Sequence, residues 1–171
     1  GLIAADFHAR HPGRVAGLVL CDTSPGLRRH MSEAEIQAFL DARRKPLLEG
    51  RTPAEIAPAL AQGLVSPRTP PERVARLVDS LSRLRAESYL KTIEAVTRWD
   101  AAYDLGAIRV PTLVIVGEED RLTPPAVARR LAEGIPGARL AVLPGAGHLS
   151  NIEAPAEFDA ALLPFLSAVA G

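Results

Sequence analysis

The sequence predicts an α/β fold: a parallel sheet with flanking helices and a helical insertion. Three short apolar runs rich in Val, Leu and Ile, residues 15–23, 112–117 and 138–145, carry the near-continuous hydrophobicity of strands covered on both faces. Helical patterns alternate with these runs, and strands that alternate with helices close into a parallel sheet. Between the first two runs, residues 27–104 show helix-start signals and no strand alternation, which marks an insertion.

Taken in order, Leu2, Ile3, Ala4, Ala5 and Phe7 place apolar groups around a short first helix whose alanines allow close packing on a sheet. His11-Pro12-Gly13 ends it. The run "VAGLVLCDT" reads as a buried strand, broken by "SPG" at 24–26. In the insertion, Ser32 with Glu35, Thr52 with Glu55 and Thr69 with Glu72 each fit the capping box, in which hydroxyl and carboxylate satisfy orphaned N–H groups at a helix start. Pro53 and Pro70 stand where a first helical residue tolerates proline. "TLVIVG" at 112–117 is the second strand. Thr123-Pro124-Pro125 caps a helix with Val127, Ala128 and Leu131 on one face, and "ARLAVLPG" at 138–145 is the third strand. A last helix from Pro155 carries Phe158, Ala161, Leu162 and Phe165 at helical spacing, with Pro164 bending its end.

At 171 residues the chain is long enough for one sizeable core and short for two. It is 47% hydrophobic and 23% charged with zero net charge, so no strong field draws nucleic acid or membrane. No apolar run is long enough to span a bilayer and no signal-peptide pattern is present. The single cysteine, Cys21, excludes an internal disulfide framework and fits a cytoplasmic setting. No Cys/His cluster has metal-ligand spacing, so neither a metal nor another cofactor is expected. Gly145-Ala146-Gly147 precedes a histidine turn instead of opening a helix, which argues against a phosphate loop.

In parallel α/β sheets, reactive groups gather where the strands end at their carboxyl side. Three loops qualify. Asp22, Thr23 and Ser24 follow the first strand, Glu118, Glu119 and Asp120 the second, and His148 the third. An acid after one strand and a histidine after the next can meet as orienting carboxylate and base. Such acids also serve as plain helix caps, so these residues alone leave both readings open.

Longer stretches are similar to a known family. "VPTLVIVGEEDRLTPP" resembles the strand and turn that bear the triad acid of α/β-hydrolases, and "LPGAGHLSNIEAPAEF" resembles their histidine turn and following helix. "HPGRVAGLVLCDTSPG" resembles the segment between the nucleophile's helix and the lid. The resemblance implies a partial α/β-hydrolase fold, with residues 1–25 and 105–171 as the C-terminal portion of the core and 26–104 as a helical lid. The triad order in that fold is nucleophile, acid, histidine, so Asp120 and His148 stand in the expected order as catalytic residues.

The resemblance also implies a serine on a G-x-S-x-G elbow, and that pattern is missing from the chain. Gly1 matches the glycine that follows the elbow, which places the serine about four residues upstream. The chain is therefore expected to be a fragment, inactive when isolated. Ser150, Ser24 and Cys21 are poor substitutes: Ser150 reads as a turn or capping hydroxyl and Cys21 as a small buried strand residue. Asp22 stands where some family members carry the triad acid, and otherwise ties the loop leading into the lid. Asp120 is the favoured acid. Glu118 and Glu119 read as solvated turn charges, His8 and His11 as surface or packing residues, and His30 as a lid residue.

Among family members the stretches look closest to 3-oxoadipate enol-lactonases, whose substrate is a small anionic lactone. The implied function is hydrolysis of a small ester or lactone. An inactive fragment, a carbon–carbon bond hydrolase or a dehalogenase of the same fold are the alternatives. Met31, Phe39, Tyr89 and Trp99, the last in a "WD" pair with Asp100, are candidate lining groups of the lid. Lid arginines such as Arg28, Arg29, Arg43 and Arg83 are of a type that meets carboxylates. The open edge of the first strand invites a second copy of the chain, a homo-oligomer.

Overall fold

The computed structural model describes residues 1–99 and 103–171; Asp100 of the "WD" pair lies outside them. The elements run α1 (Leu2–Arg10), β1 (Leu18–Cys21), α2 (Glu33–Leu48), α3 (Pro53–Leu64), α4 (Pro71–Ser82), α5 (Ala86–Arg98), β2 (Thr112–Gly117), α6 (Pro125–Gly134), β3 (Arg139–Leu143), α7 (Ser150–Glu153) and α8 (Pro155–Ala170). The strands form one parallel sheet in the order β1-β2-β3, with Leu18 opposite Thr112 and Leu113 opposite Arg139.

The two-residue period of a strand sends neighbouring side chains to opposite faces, and here each face meets helices. Leu18 and Leu20 of β1, Val114 and Val116 of β2, and Leu140 and Val142 of β3 pack with Ala5 of α1 and Ala128 and Leu131 of α6. Val19, Leu113, Ile115, Ala141 and Leu143 pack on the other face with Phe158, Leu162 and Phe165 of α8. All six residues of β2 are buried, as its unbroken apolar run requires. Among the described residues β1 pairs with β2 alone, leaving its other edge without a strand partner. The four residues of β1 are fewer than the apolar run suggests, because Asp22 takes a left-handed φ of 43° and turns the chain there. The last helix continues past Pro164 to Ala170.

The chain divides into two compact units, one of Gly1–Pro25, Leu64–Arg68 and Ala101–Gly171, the other of Gly26–Gly63 and Thr69–Asp100. The second unit holds α2 to α5. Its core is Leu27, Ile36 and Leu40, with Met31, Phe39, Ile93 and Val96 packed around them. Ser32 and Glu35 form the expected capping box at the start of α2, and Thr52 and Glu55 exchange the same bonds before α3. The third box does not form. Pro71 forces the residue before it out of the helical region, so Pro70 adopts φ −54° and ψ 137° and becomes the N-cap itself. Within the span 26–104, Leu64–Arg68 group with the sheet because the histidine turn binds them, as described next.

Candidate active site

Asp120 follows β2 and His148 follows β3, so neighbouring parallel strands deliver both residues to one end of the sheet. The two side chains meet: His148 Nδ1 lies 2.9 Å from Asp120 Oδ2. Asp120 builds its own cradle. Its Oδ1 accepts the backbone N–H groups of Leu122 at 2.8 Å and Thr123 at 2.9 Å, the local turn that aspartate side chains favour. Thr123 Oγ1 donates to Oδ2 at 2.7 Å and stands 3.3 Å from His148 Nδ1. Thr123 is thus not the helix cap that its place before Pro124 suggests: Pro124 is the N-cap of α6, and the buried hydroxyl turns to the carboxylate.

Close backbone approach makes the pairing possible. A Cβ at Gly117, the last residue of β2, would overlap the carbonyl oxygens of Ala146 and Gly147. Only glycine lets the turn after β3 cross there. Gly145 starts that turn with φ 66°, and its N–H donates to Glu118 at 3.0 Å. His148 N–H then donates to Leu64 O at 2.8 Å, fixing the backbone beneath the ring.

The Asp120 side chain is fully buried and that of His148 is 19% exposed. Burial alone pushes the Asp120 carboxyl up. The His148 hydrogen bond and charge, with the Thr123 donors, outweigh burial and hold it below the ordinary carboxylate value. At neutral pH the ionised carboxylate only accepts, so the proton between the two residues sits on Nδ1. With Nδ1 turned to the carboxylate, Nε2 is the ring nitrogen left for a general base.

A second polar cluster lies at the end of β1. Asp22 Oδ1 accepts Gly117 N–H at 3.1 Å, and Oδ2 accepts Ser150 N–H at 3.0 Å and the Ser150 hydroxyl at 2.7 Å. Asp22 therefore ties β2 and α7 together, where a tie to the loop leading into the lid is expected from sequence. Ser150 is wholly buried with its hydroxyl on this carboxylate, so it is neither a helix cap nor aimed at His148. Cys21 Sγ lies 3.1 Å from Asp22 Oδ2, and burial followed by the aspartate charge pushes its thiol up to about 12. Such a shift disfavours the thiolate that a nucleophile needs.

Among the turn acids, Glu118 accepts the Gly145 amide and Glu119 lies 3.3 Å from Arg68 Nε. His8 is buried in α1, whereas His11 is exposed. In the helical unit, Met31 and Phe39 are part of the packing around Leu27, Ile36 and Leu40, and Arg43 lies 3.6 Å over the Phe39 ring. Trp99 is half-buried, and its Nε1 and His30 Nε2 are buried atoms without a hydrogen-bond partner. Among the described residues no group of three His, Cys, Asp or Glu side chains is gathered closely enough for a metal ion. No helix among them is long and apolar enough to cross a membrane.

A family pattern described as "Alpha/beta hydrolase family" matches residues 1–161. The chain belongs to the alpha/beta hydrolase family. Relatives of this chain include a Variovorax paradoxus protein named for carbamate hydrolysis, RutD, 30% identical over 99% of this chain and 63% of its own length. A pimeloyl-[acyl-carrier protein] methyl ester esterase of Chromobacterium violaceum is 30% identical over 97% of this chain and 66% of its own. Among solved structures, the enol-lactonase from Burkholderia xenovorans superposes with TM-score 0.81 at 28% identity, covering 97% of this chain and 62% of that one. That likeness agrees with the lactonase look of the two quoted stretches. The chain spans less than two thirds of the length of each of these three proteins.

Three features of this candidate site escape a linear reading. Thr123 as an Asp120 donor has a faint signal, an aspartate followed three residues later by threonine. The Asp22–Ser150 tie spans 128 residues and the buried Glu153–Ser66 bond spans 87, and neither leaves a local pattern.

Proposed function

We propose that the whole protein hydrolyses a small ester or lactone through a Ser-His-Asp triad whose serine precedes Gly1. The observation that carries this reading is the 2.9 Å contact between His148 Nδ1 and buried Asp120, which leaves Nε2 as the free base. The serine hydroxyl gives its proton to Nε2 as its oxygen attacks the acyl carbon, and the imidazolium returns that proton to the departing alkoxide or enolate. Asp120 holds the tautomer and stabilises the charged ring without taking its proton. The oxyanion donors, one of them the N–H after the nucleophile, also precede this chain, and each contributes about 3–4 kcal/mol in hydrolases of this kind. Water then releases the acid by the same proton path in reverse.

In this reading residues 26–104 are the lid, and Met31, Phe39 and Trp99 are its candidate lining groups, Met31 and Phe39 while also packing around Leu27, Ile36 and Leu40. A carbamate is the second reading, favoured by the similarity to the Variovorax paradoxus protein along nearly all of this chain. Both substrates present an acyl carbon bearing a heteroatom leaving group, so one triad serves either.

The encoding sequence directly upstream of Gly1 is the first test. G-x-S-x-G supports the serine mechanism; an aspartate at its centre turns the chemistry toward dehalogenation or epoxide opening. In turnover, the full-length protein is expected to hydrolyse p-nitrophenyl acetate and to lose that activity in His148→Ala, while residues 1–171 alone show none. Hydrolysis by the isolated chain that vanishes in His148→Ala overturns the placement of the nucleophile.

A further inference from the structure

Glu153 is a carboxylate with only 9% exposure at the end of the four-residue α7, five positions beyond His148. Its Oε2 accepts Ser66 N–H at 2.7 Å and its Oε1 accepts Leu149 N–H at 3.1 Å. One residue back, His148 N–H donates to Leu64 O at 2.8 Å. These bonds form a closed ring through Leu64, Ser66, Glu153, Leu149 and His148. Gly147 completes it by leaving no gap: a Cβ there would sit 2.6 Å from Ser66 N and 2.9 Å from Glu153 Oε1.

Burying a carboxylate is unfavourable unless donors meet it, and here its donors include main-chain N–H groups from two separate segments. Packing of apolar groups resists separation but does little against sliding. Charge-assisted hydrogen bonds are directional and resist both. A single helical turn such as α7 has little stability of its own, so the turn that carries His148 depends on such outside restraints.

We propose that Glu153 is a positioning residue for His148: by clamping segment 64–68 to the histidine turn, its carboxylate holds the imidazole Nδ1 on Asp120. The catalytic meaning of this clamp rests on the triad reading above; the clamp itself concerns only ring geometry. Removing it leaves the Leu149 and Ser66 amides without their carboxylate and frees the backbone on which the ring is mounted. Displacements of about 1 Å at a catalytic group lower turnover by up to roughly 100-fold.

The test is Glu153→Gln in the full-length protein, which keeps the side chain's shape but sets an amide NH2 against a backbone N–H. Its kcat is expected to fall roughly 10- to 100-fold while KM changes less than about two-fold. Its ¹⁵N imidazole spectrum shifts from the Nδ1–H form toward a mixture of tautomers. Glu153→Asp, which keeps both acceptors, recovers part of each. A Glu153→Gln protein with the wild-type ring spectrum overturns the proposal, whatever its melting temperature. If the variant does not fold, amide exchange in the wild type decides: Ser66, His148 and Leu149 are expected to open together, and unrelated rates overturn the clamp. The ring spectrum needs no turnover. A shifted ring in a protein that hydrolyses no ester or carbamate therefore sinks the triad reading and supports the clamp.

Discussion

Replacing Thr123 with valine keeps the branched shape and one methyl but removes the hydroxyl that donates to Asp120 Oδ2 at 2.7 Å. Thr123 is 5% exposed, so bulk water has little access to take over the bond. Asp120 keeps the Leu122 and Thr123 N–H groups and His148. A hydrogen bond to a charged group contributes about 1.5–3 kcal/mol net, and a methyl set against a buried carboxylate recovers none of it. Stability at pH 7 is expected to fall by about 2 kcal/mol. The pH dependence has a definite sign. The folded Asp120 carboxyl lies below its unfolded value of about 3.9, so its stabilisation is complete above that value and is lost as pH falls through the lower folded value. Thr123→Val raises the folded value toward the unfolded one, so the gap between the two proteins closes over the same acidic window. Urea unfolding followed by circular dichroism at pH 7 and at steps down to acid measures the gap, with equal slopes required of both proteins. A difference below about 0.5 kcal/mol at pH 7, within the range of ordinary surface substitutions, refutes the reasoning. So does a gap that persists unchanged after the carboxylate is protonated.

Asp120→Asn in the full-length protein is expected to lower kcat about 10⁴-fold, as loss of the orienting carboxylate reverses the imidazole tautomer; steady-state ester hydrolysis measures it, and a loss under ten-fold rejects Asp120 as the acid. Gly147→Ala forces a methyl onto the Val65–Ser66 backbone, so thermal unfolding should show a destabilisation of about 1–3 kcal/mol or more, whereas Gly13→Ala, with nothing within 4 Å, lacks that steric term. Cys21, pushed up to about 12 by burial and then by Asp22, should react with iodoacetamide at pH 8 at least about 100-fold more slowly than an unperturbed thiol. Rapid alkylation of the folded protein would contradict its half-buried place beside Asp22.

Much of the architecture was legible because its causes are local. The unbroken apolar run of β2 marks a strand with two covered faces, and Ser32-x-x-Glu35 marks a helix start that forms as written. Pro70-Pro71 shows where that legibility stops. The capping pattern Thr69-x-x-Glu72 is intact, but the second proline moves the helix start by one residue and makes Pro70 the cap. Asp120 and His148 were legible as an aspartate and a histidine on the loops after successive strands, which the fold brings to 2.9 Å. Thr123 was legible only as a residue beside prolines.

By itself the sequence determined the helices, the three strands and the placing of Asp120 and His148 after neighbouring strands. Hydrophobic period and turn chemistry are written within a few residues of where they act. Only the tertiary structure decided which buried donors and acceptors serve one another: Thr123 with Asp120, Ser150 with Asp22, and Ser66 with Glu153. A buried polar group must be hydrogen-bonded, but its partner is whichever complementary group the completed fold brings within reach, and that distance is not written along the chain.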